Sequence, residues 1–300
     1  MIGRVSTFGL GETMLRSSLA VQSKYATAST QQASGLISTT YGGLGSQSSS
    51  LMSTETATAQ LTTWSANTSV ANDRVQSMYS AVGDMIDALT SFRSTLSAAK
   101  SSTSNDTLDD TGSDLLEDLT DLMNLKMDGR YLFAGSNTDT APVDVSALTA
   151  PSSPSTANTS YYTGDSEQSS VRISSQQSIS YGISGDSTGF EKALRAANIV
   201  ANITTSPLDT DSVDEAYDLA TEALDALIAI QSGLSNTSAR LESAMSRQST
   251  ALDQMDAIAS NLKEVDTAEV AVKISQYKTQ LEASYSALGN VGQLSLVKYL

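Results

Sequence analysis

From Leu61 the chain repeats apolar or small residues every seven positions: Leu61, Trp64, Thr68, Ala71, Val75, Met78, Val82, Met85, Leu89, Phe92, Leu96 and Ala99. The steps alternate three and four without a break, and no Pro falls inside. A narrow stripe of this period dictates a long amphipathic helix whose seam must face another helix. At 1.5 Å per residue the stripe from 61 to 99 is roughly 58 Å long. A second seam of the same kind lies far away in sequence: Val213, Tyr217, Ala220, Leu224, Leu227, Gln231, Leu234, Ser238, Leu241, Met245, Gln248, Leu252, Met255, Ala259 and Leu262. The polar members Gln231, Ser238 and Gln248 weaken this stripe but can fix its register. The two seams are expected to pack on each other, with a core of Leu61, Trp64, Val75, Met78, Val82, Met85, Leu89, Phe92, Leu224, Leu227, Leu234, Leu241, Leu252 and Leu262.

Composition favours thin architecture. Apolar residues make up 39% of the chain, yet it holds a single Trp, and much of the remainder is Ala. Acidic residues outnumber basic ones 33 to 17, a net charge of −16, with no basic run. Such a surface repels phosphate backbones, so nucleic-acid binding is not expected. Cys and His are absent, which removes thiol nucleophiles, disulfides, imidazole bases and most zinc chemistry. The acidic clusters Asp106, Asp109, Asp110, Asp114 and Asp209, Asp211, Asp214 do not follow a calcium-loop pattern and read as helix N-terminal residues. No catalytic residue, cofactor or metal is assigned. "MIGRVSTFGLGETMLRSS" holds no secretory apolar run, and no stretch approaches the ~20 apolar residues of a membrane span.

Between the seams the text changes. A short helix follows "SNDTLDDTGSD", with Leu115, Leu116, Leu119, Leu122 and Met123 on one face, and is expected to end near Met127-Asp128-Gly129 with Gly129 as its C-cap. "RYLFAG" then has strand character, "SNTDTAP" is turn chemistry, and "SVRIS" and "SISYGISGD" alternate as strands do. Helicity returns at "GFEKALRAANIVAN", and the second long helix is placed after Pro207. The Gly-rich "YGGLG" at 41–45 reads as a flexible joint between helices.

Both ends carry further amphipathic helices, one sparse in apolar residues (Val5, Phe8, Met14, Leu15, Leu19, Tyr25) and one richer (Val270, Ile274, Tyr277, Leu281, Tyr285, Leu288, Val291, Leu294, Val297, Leu300). A fully buried large side chain is worth about 1.5–3 kcal/mol, and a thin helical pair has little spare surface to cover two more stripes. These edges are therefore expected to become dry among other copies. The assembly contacts assigned are Val5, Phe8, Leu15, Leu19, Ile274, Tyr277, Leu281, Leu288, Val291, Leu294 and Leu300.

The fold expected is mainly α: an elongated coiled-coil-like helical rod with the N- and C-terminal helices together and a small β-rich insert at the rod tip. The divisions expected are an N-terminal helix of an inner assembly domain (1–45), the first half of the rod (46–129), the β-rich outer insert (130–190), the second half (191–262) and a C-terminal helix of the inner domain (263–300).

An N-terminus carrying "RVSTFGL", a long heptad helix, the passage "DGRYLFAGSNTDTAPV" and the ending "VDTAEVAVKISQYKTQLEASYSALGNVGQLSLVKYL" resemble the flagellin superfamily, and within it the hook-associated proteins of the hook–filament junction. One departure stands out. Where the family commonly has a Gly-Lys/Arg loop and a Pro-Ser-Asp-Asp-Pro turn, this chain reads "SGLISTTYGGLG". The resemblance implies a structural subunit, not an enzyme, with both termini in an inner helical tube. It implies export through the flagellar type III channel without a cleaved signal, and residence in the extracellular flagellum. The partners implied are other copies in a ring-like layer, a hook-associated protein on the hook side, flagellin on the filament side and an export chaperone at the C-terminus. The alternative readings are a filament-forming flagellin and a non-flagellar helical signalling rod.

Overall fold

Two helices of more than fifty residues dominate the molecule, and the heptad seams account for both. The computed structural model describes residues 7–152 and 154–293, with side chains from Gly9 to Asn290. Helix α1 (Thr7–Ser34) leads through a 3-10 segment (Tyr41–Gln47) into α2 (Ser48–Ala99). There follow α3 (Leu108–Met123), the ribbon β1 (Lys126–Met127) and β2 (Arg130–Tyr131), the ribbon β3 (Ser169–Arg172) and β4 (Ser178–Tyr181), and α4 (Thr188–Ala201). The chain closes with α5 (Thr210–Lys263) and α6 (Thr267–Gln293). It divides into a larger unit, Gln60–Ala251, and a smaller one, Met1–Ala59 with Leu252–Leu300.

In the larger unit α2 and α5 run antiparallel. Lys100 pairs with Asp214 at 3.0 Å, Gln76 with Ser238 at 2.7 Å and Thr68 with Gln248 at 3.3 Å, so pairing advances in opposite directions along the two helices. Val75, Met78, Val82, Met85, Leu89 and Phe92 of α2 are buried with Leu224, Leu227, Leu234 and Leu241 of α5. Leu61 is buried at the edge of this stretch and Trp64 is half-buried. The remaining two seam residues, Leu252 and Leu262, fall in the smaller unit and are half-buried there. Helices α3 and α4 add a second layer. Gly112 of α3 sits so close to Ala197, Val200 and Ala201 of α4 that a Cβ there would lie 2.4 Å from a backbone nitrogen. Lys192 of α4 reaches Glu222 of α5 at 2.6 Å.

The end of α3 differs from the sequence reading. The helix stops at Met123, capped by Asn124, whose amide exchanges two hydrogen bonds with the Val143 backbone, at 2.9 and 3.1 Å. Gly129 is not a helix cap. Asp128 and Gly129 both have positive φ, 51° and 75°, and form the two-residue turn between β1 and β2. Asp-Gly is the dipeptide that such hairpin turns select, and this preference prevails over helix termination.

Strand structure is also briefer than "RYLFAG" suggests. After Tyr131 the backbone leaves the ladder, and Leu132, Phe133 and Ala134 are buried in irregular conformation. Three of their backbone groups find partners outside a ladder: Leu132 N–H donates to the Leu125 carbonyl, while the Phe133 and Ala134 carbonyls accept from Gly185 and Asp165 N–H. Phe133 meets Phe190 edge-to-face, with ring centroids 5.5 Å apart. The long passage between the ribbons is tied down by one isolated backbone bridge, Val143 with Tyr162, and by side chains. Asp165 accepts from Ser136 N–H at 2.8 Å, Glu191 from Asn158 N–H at 3.0 Å, and Thr149 carbonyl from Asn198 at 2.9 Å.

Candidate assembly interface

The smaller unit is built around a clamp between two loops. Leu36 bridges Glu264, with Ile37 N–H donating to Lys263 at 2.7 Å and Val265 N–H to Gly35 at 3.0 Å. Gln31 reinforces it by donating to the Ile37 carbonyl at 2.9 Å. Beside the clamp a small apolar cluster forms from Leu44, Leu51 and Ala259, with Ile37 and Leu262 against it. The Gly-rich segment is therefore a folded 3-10 turn anchored by Leu44, where the sequence suggested a plain flexible joint.

Helix α1 runs into the clamp and α6 runs out of it, so the two pack antiparallel. On α6 the inward face reads Val270, Ile274, Tyr277, Leu281, Ser284 and Leu288, again in alternating steps of four and three. The facing side of α1 carries Gly11, Met14, Ser18, Val21, Tyr25 and Ala28. With Gly, Ser and Ala at half of the α1 positions, the pair buries little: the α6 positions after Val270 are half-buried. Asp266 starts α6 by accepting from Ala268 and Glu269 N–H at 2.9 and 3.1 Å, an N-terminal carboxylate that also suits the helix dipole. One turn later Glu269 pairs with Lys273 at 2.7 Å and, chiefly through that hydrogen bond, raises the Lys273 pKa.

What this pair leaves uncovered defines the candidate site. Leu10, Leu15 and Leu19 are exposed on α1, the last two at 50% and 54%. Val272 and Tyr285 are exposed on α6 at 57% and 53%. Together with Tyr41, Met52 and Ile258 they make eight of the twelve large exposed apolar side chains among the described residues, all in the smaller unit. Conversely, the twelve largest fully buried side chains among the described residues, from Tyr161 to Leu241, all lie in the larger unit. One unit has a finished core; the other has a thin seam and wet apolar flanks.

The residues assigned from sequence separate into three groups. Leu15 and Leu19 point outward, whereas Ile274, Tyr277, Leu281 and Leu288 occupy the seam against α1. Phe8 and Val291 belong to α1 and α6, but their side chains lie outside those described, as do Val5, Leu294 and Leu300 altogether. Leu10 and Val272 were not singled out from sequence. Val272 sits two positions after Val270, off the three-four seam, and its outward direction follows once the seam is known. Four members of the acidic clusters have structural employment: Asp109 and Asp110 occupy the first turn of α3, Asp214 pairs with Lys100, and Asp209 accepts from Ser212 N–H and hydroxyl at the start of α5. Those bonds hold the Asp209 carboxyl below its ordinary range. Among the described residues no group of three or more acidic side chains is placed to hold a metal, and no helix is long and apolar enough to cross a membrane.

Comparison with solved structures finds the same fold. FlgL from Bacillus cereus is 14% identical with a TM-score of 0.55, and the match covers 68% of this chain and 98% of that one. Flagellar hook associated protein-3 from Legionella pneumophila is 16% identical with a TM-score of 0.55, covering 70% and 98%. No curated protein matches the sequence significantly. The bacterial flagellin N-terminal helical region matches residues 5–138, and the bacterial flagellin C-terminal helical region matches residues 217–300. With these two regions spanning well over half of its length, the chain belongs to the bacterial flagellin family.

Proposed function

We propose that this chain is the structural subunit that joins hook to filament in the bacterial flagellum. The observation that carries the reading is the contrast between its units: a complete core in residues 60–251, and exposed Leu15, Leu19, Val272 and Tyr285 on the terminal helices. Apolar patches on one unit of an otherwise self-sufficient protein mark contact surfaces. In this reading residues 1–45 and 263–300 form the inner assembly domain. Val5, Phe8, Leu15, Leu19, Ile274, Tyr277, Leu281, Leu288, Val291, Leu294 and Leu300 become dry among neighbouring copies, and 130–190 faces outward. The subunit is exported without a cleaved signal and assembles as a ring-like layer between a hook-associated protein and flagellin, with an export chaperone holding its C-terminus beforehand. The fold shared with FlgL and hook associated protein-3 supports the junction over the filament.

A second reading, the filament subunit itself, is favoured by the match to both flagellin helical regions. Electron micrographs of a strain lacking the protein separate the two. Hooks that end bare, with flagellin shed into the medium, support the junction. Normal filaments on intact hooks would sink it, and a strain that secretes no flagellin at all would favour the filament reading.

A further inference from the structure

Within the larger unit the β3–β4 ribbon and α5 enclose an open groove of about 730 Å3. Ile173 and Ile179 line it from the ribbon, and Arg240, Ser243 and Arg247 from the helix. Arg247 donates to the Ser243 hydroxyl at 2.7 Å, which steadies its guanidinium along the helix wall. Both arginines are exposed, and among the described residues neither belongs to an ion pair. In a chain with 33 acidic and 17 basic residues, two cations lining one groove with no carboxylate paired to either are out of keeping with their surroundings.

Arg240 and Arg247 stand two helical turns apart, about 10.5 Å along the axis. The same interval recurs with opposite sign on α3, in Asp110 with Glu117 and in Asp114 with Asp121, all exposed. The opposite face of α3, from Leu108 to Met123, is buried, so these acids point away from their own core. None of the four forms an ion pair among the described residues.

We infer that the Arg240–Arg247 groove of one copy receives the acidic face of α3 from a second copy. The inference rests on the assembly reading above, but it uses neither terminal helix. A groove cannot hold a whole helix of ~10–12 Å diameter, and it does not need to, because carboxylates projecting from one face reach it. Acceptor and donor surfaces differ, so the contact is heterologous and propagates from copy to copy, as a ring or helical layer requires. Arginine suits the role because its planar fork takes carboxylates bidentately.

The chain has no Cys, which makes disulfide trapping clean. Full-length Asn236→Cys, at another exposed position of the groove, and Ser113→Cys variants, which keep all of these charges and the Ser243 hydroxyl, are mixed and oxidised, with Ser232→Cys replacing Ser113→Cys as control. The expected result is a mixed disulfide in about tenfold excess over control, falling to the control level in Arg240→Glu/Arg247→Glu and returning when Asp114→Arg/Asp121→Arg is added to the partner. A yield equal to control, or one indifferent to the charge reversal, overturns the inference. So does capture of a different protein by the groove cysteine in isolated flagella, or protection of that cysteine by millimolar inorganic phosphate without any mixed disulfide. The assembly reading is scored separately, by whether the wild-type chain is found in flagella. Its presence there beside a failed cross-link removes the groove and leaves the assembly role standing.

Discussion

The Ser238 hydroxyl donates to the Asn72 side-chain oxygen at 2.8 Å across the α2–α5 seam, and accepts from Gln76 at 2.7 Å. Gln248 adds a second polar rung, donating to Thr68 at 3.3 Å and to the Ile173 carbonyl at 2.9 Å. A seam that is apolar at Val75–Leu96 thus becomes hydrogen-bonded at 68–76. A slip of one heptad would leave these groups buried and unpaired, so the rungs set the register that Leu and Met alone would leave loose.

Replacing Ser238 by Ala should cost about 1–3 kcal/mol, because Asn72 and Gln76 lose their shared partner while Asn72 stays buried. Urea unfolding followed by circular dichroism reads this directly. A change within error would mean that solvent already serves those amides.

Gly112→Ala should be more damaging than its chemistry suggests. A methyl group there meets backbone atoms of Ala201, Val200 and Ala197 at 2.4–2.9 Å, and backbone cannot rotate aside. Overpacking of this kind costs about 1–3 kcal/mol, and the α3–α4 layer should loosen first under hydrogen exchange. A stabilised variant would contradict the close approach.

Alkaline pH should weaken the larger unit. The Tyr162 hydroxyl donates to the Asp165 carbonyl at 2.7 Å, and burial, with Asp186 nearby, raises its pKa from 10.0 to about 12. Burial pushes Tyr161 up as well; its hydroxyl donates to the Gly185 carbonyl at 3.0 Å. The folded state favours the protonated phenol, so this contribution is complete below pH 10 and is lost as pH rises toward 12. Midpoints of urea unfolding should fall across that window, and the fall should shrink in Tyr162→Phe. A flat profile would place both phenols in solvent.

Leu15→Asp with Leu19→Asp should leave the melting of the larger unit unchanged and abolish incorporation into flagella. Exposed at 50% and 54%, these side chains lend the monomer little. Normal incorporation of the double variant would remove α1 from the assembly surface.

Periodicity made α2 and α5 legible because a seam carried along helices of more than fifty residues repeats its signal many times. It even exposed the polar rungs, since Ser238, Gln248 and Thr68 stand at seam positions. Asn72 and Gln76 escaped because they flank the seam and reach it by side-chain length. The stop of α3 was misread since Asp128-Gly129 serves equally well as a cap and as a hairpin turn, and only the strand pairing of Lys126 with Tyr131 decides. The terminal pair was harder still. Gly11, Ser18 and Ala28 make up half of the α1 face, Ser284 interrupts the α6 face, and small residues write no hydrophobic signal.

The staple at Leu36 and Glu264 fixes where that pair begins. Helices are expensive to start and cheap to extend, so a zipper with its slider already engaged closes outward from residues 35 and 265 along α1 and α6. The exposed Leu10, Leu15 and Leu19 lie on the part of α1 remote from the staple, so the surface a neighbouring copy would meet is the part of the pair that closes latest.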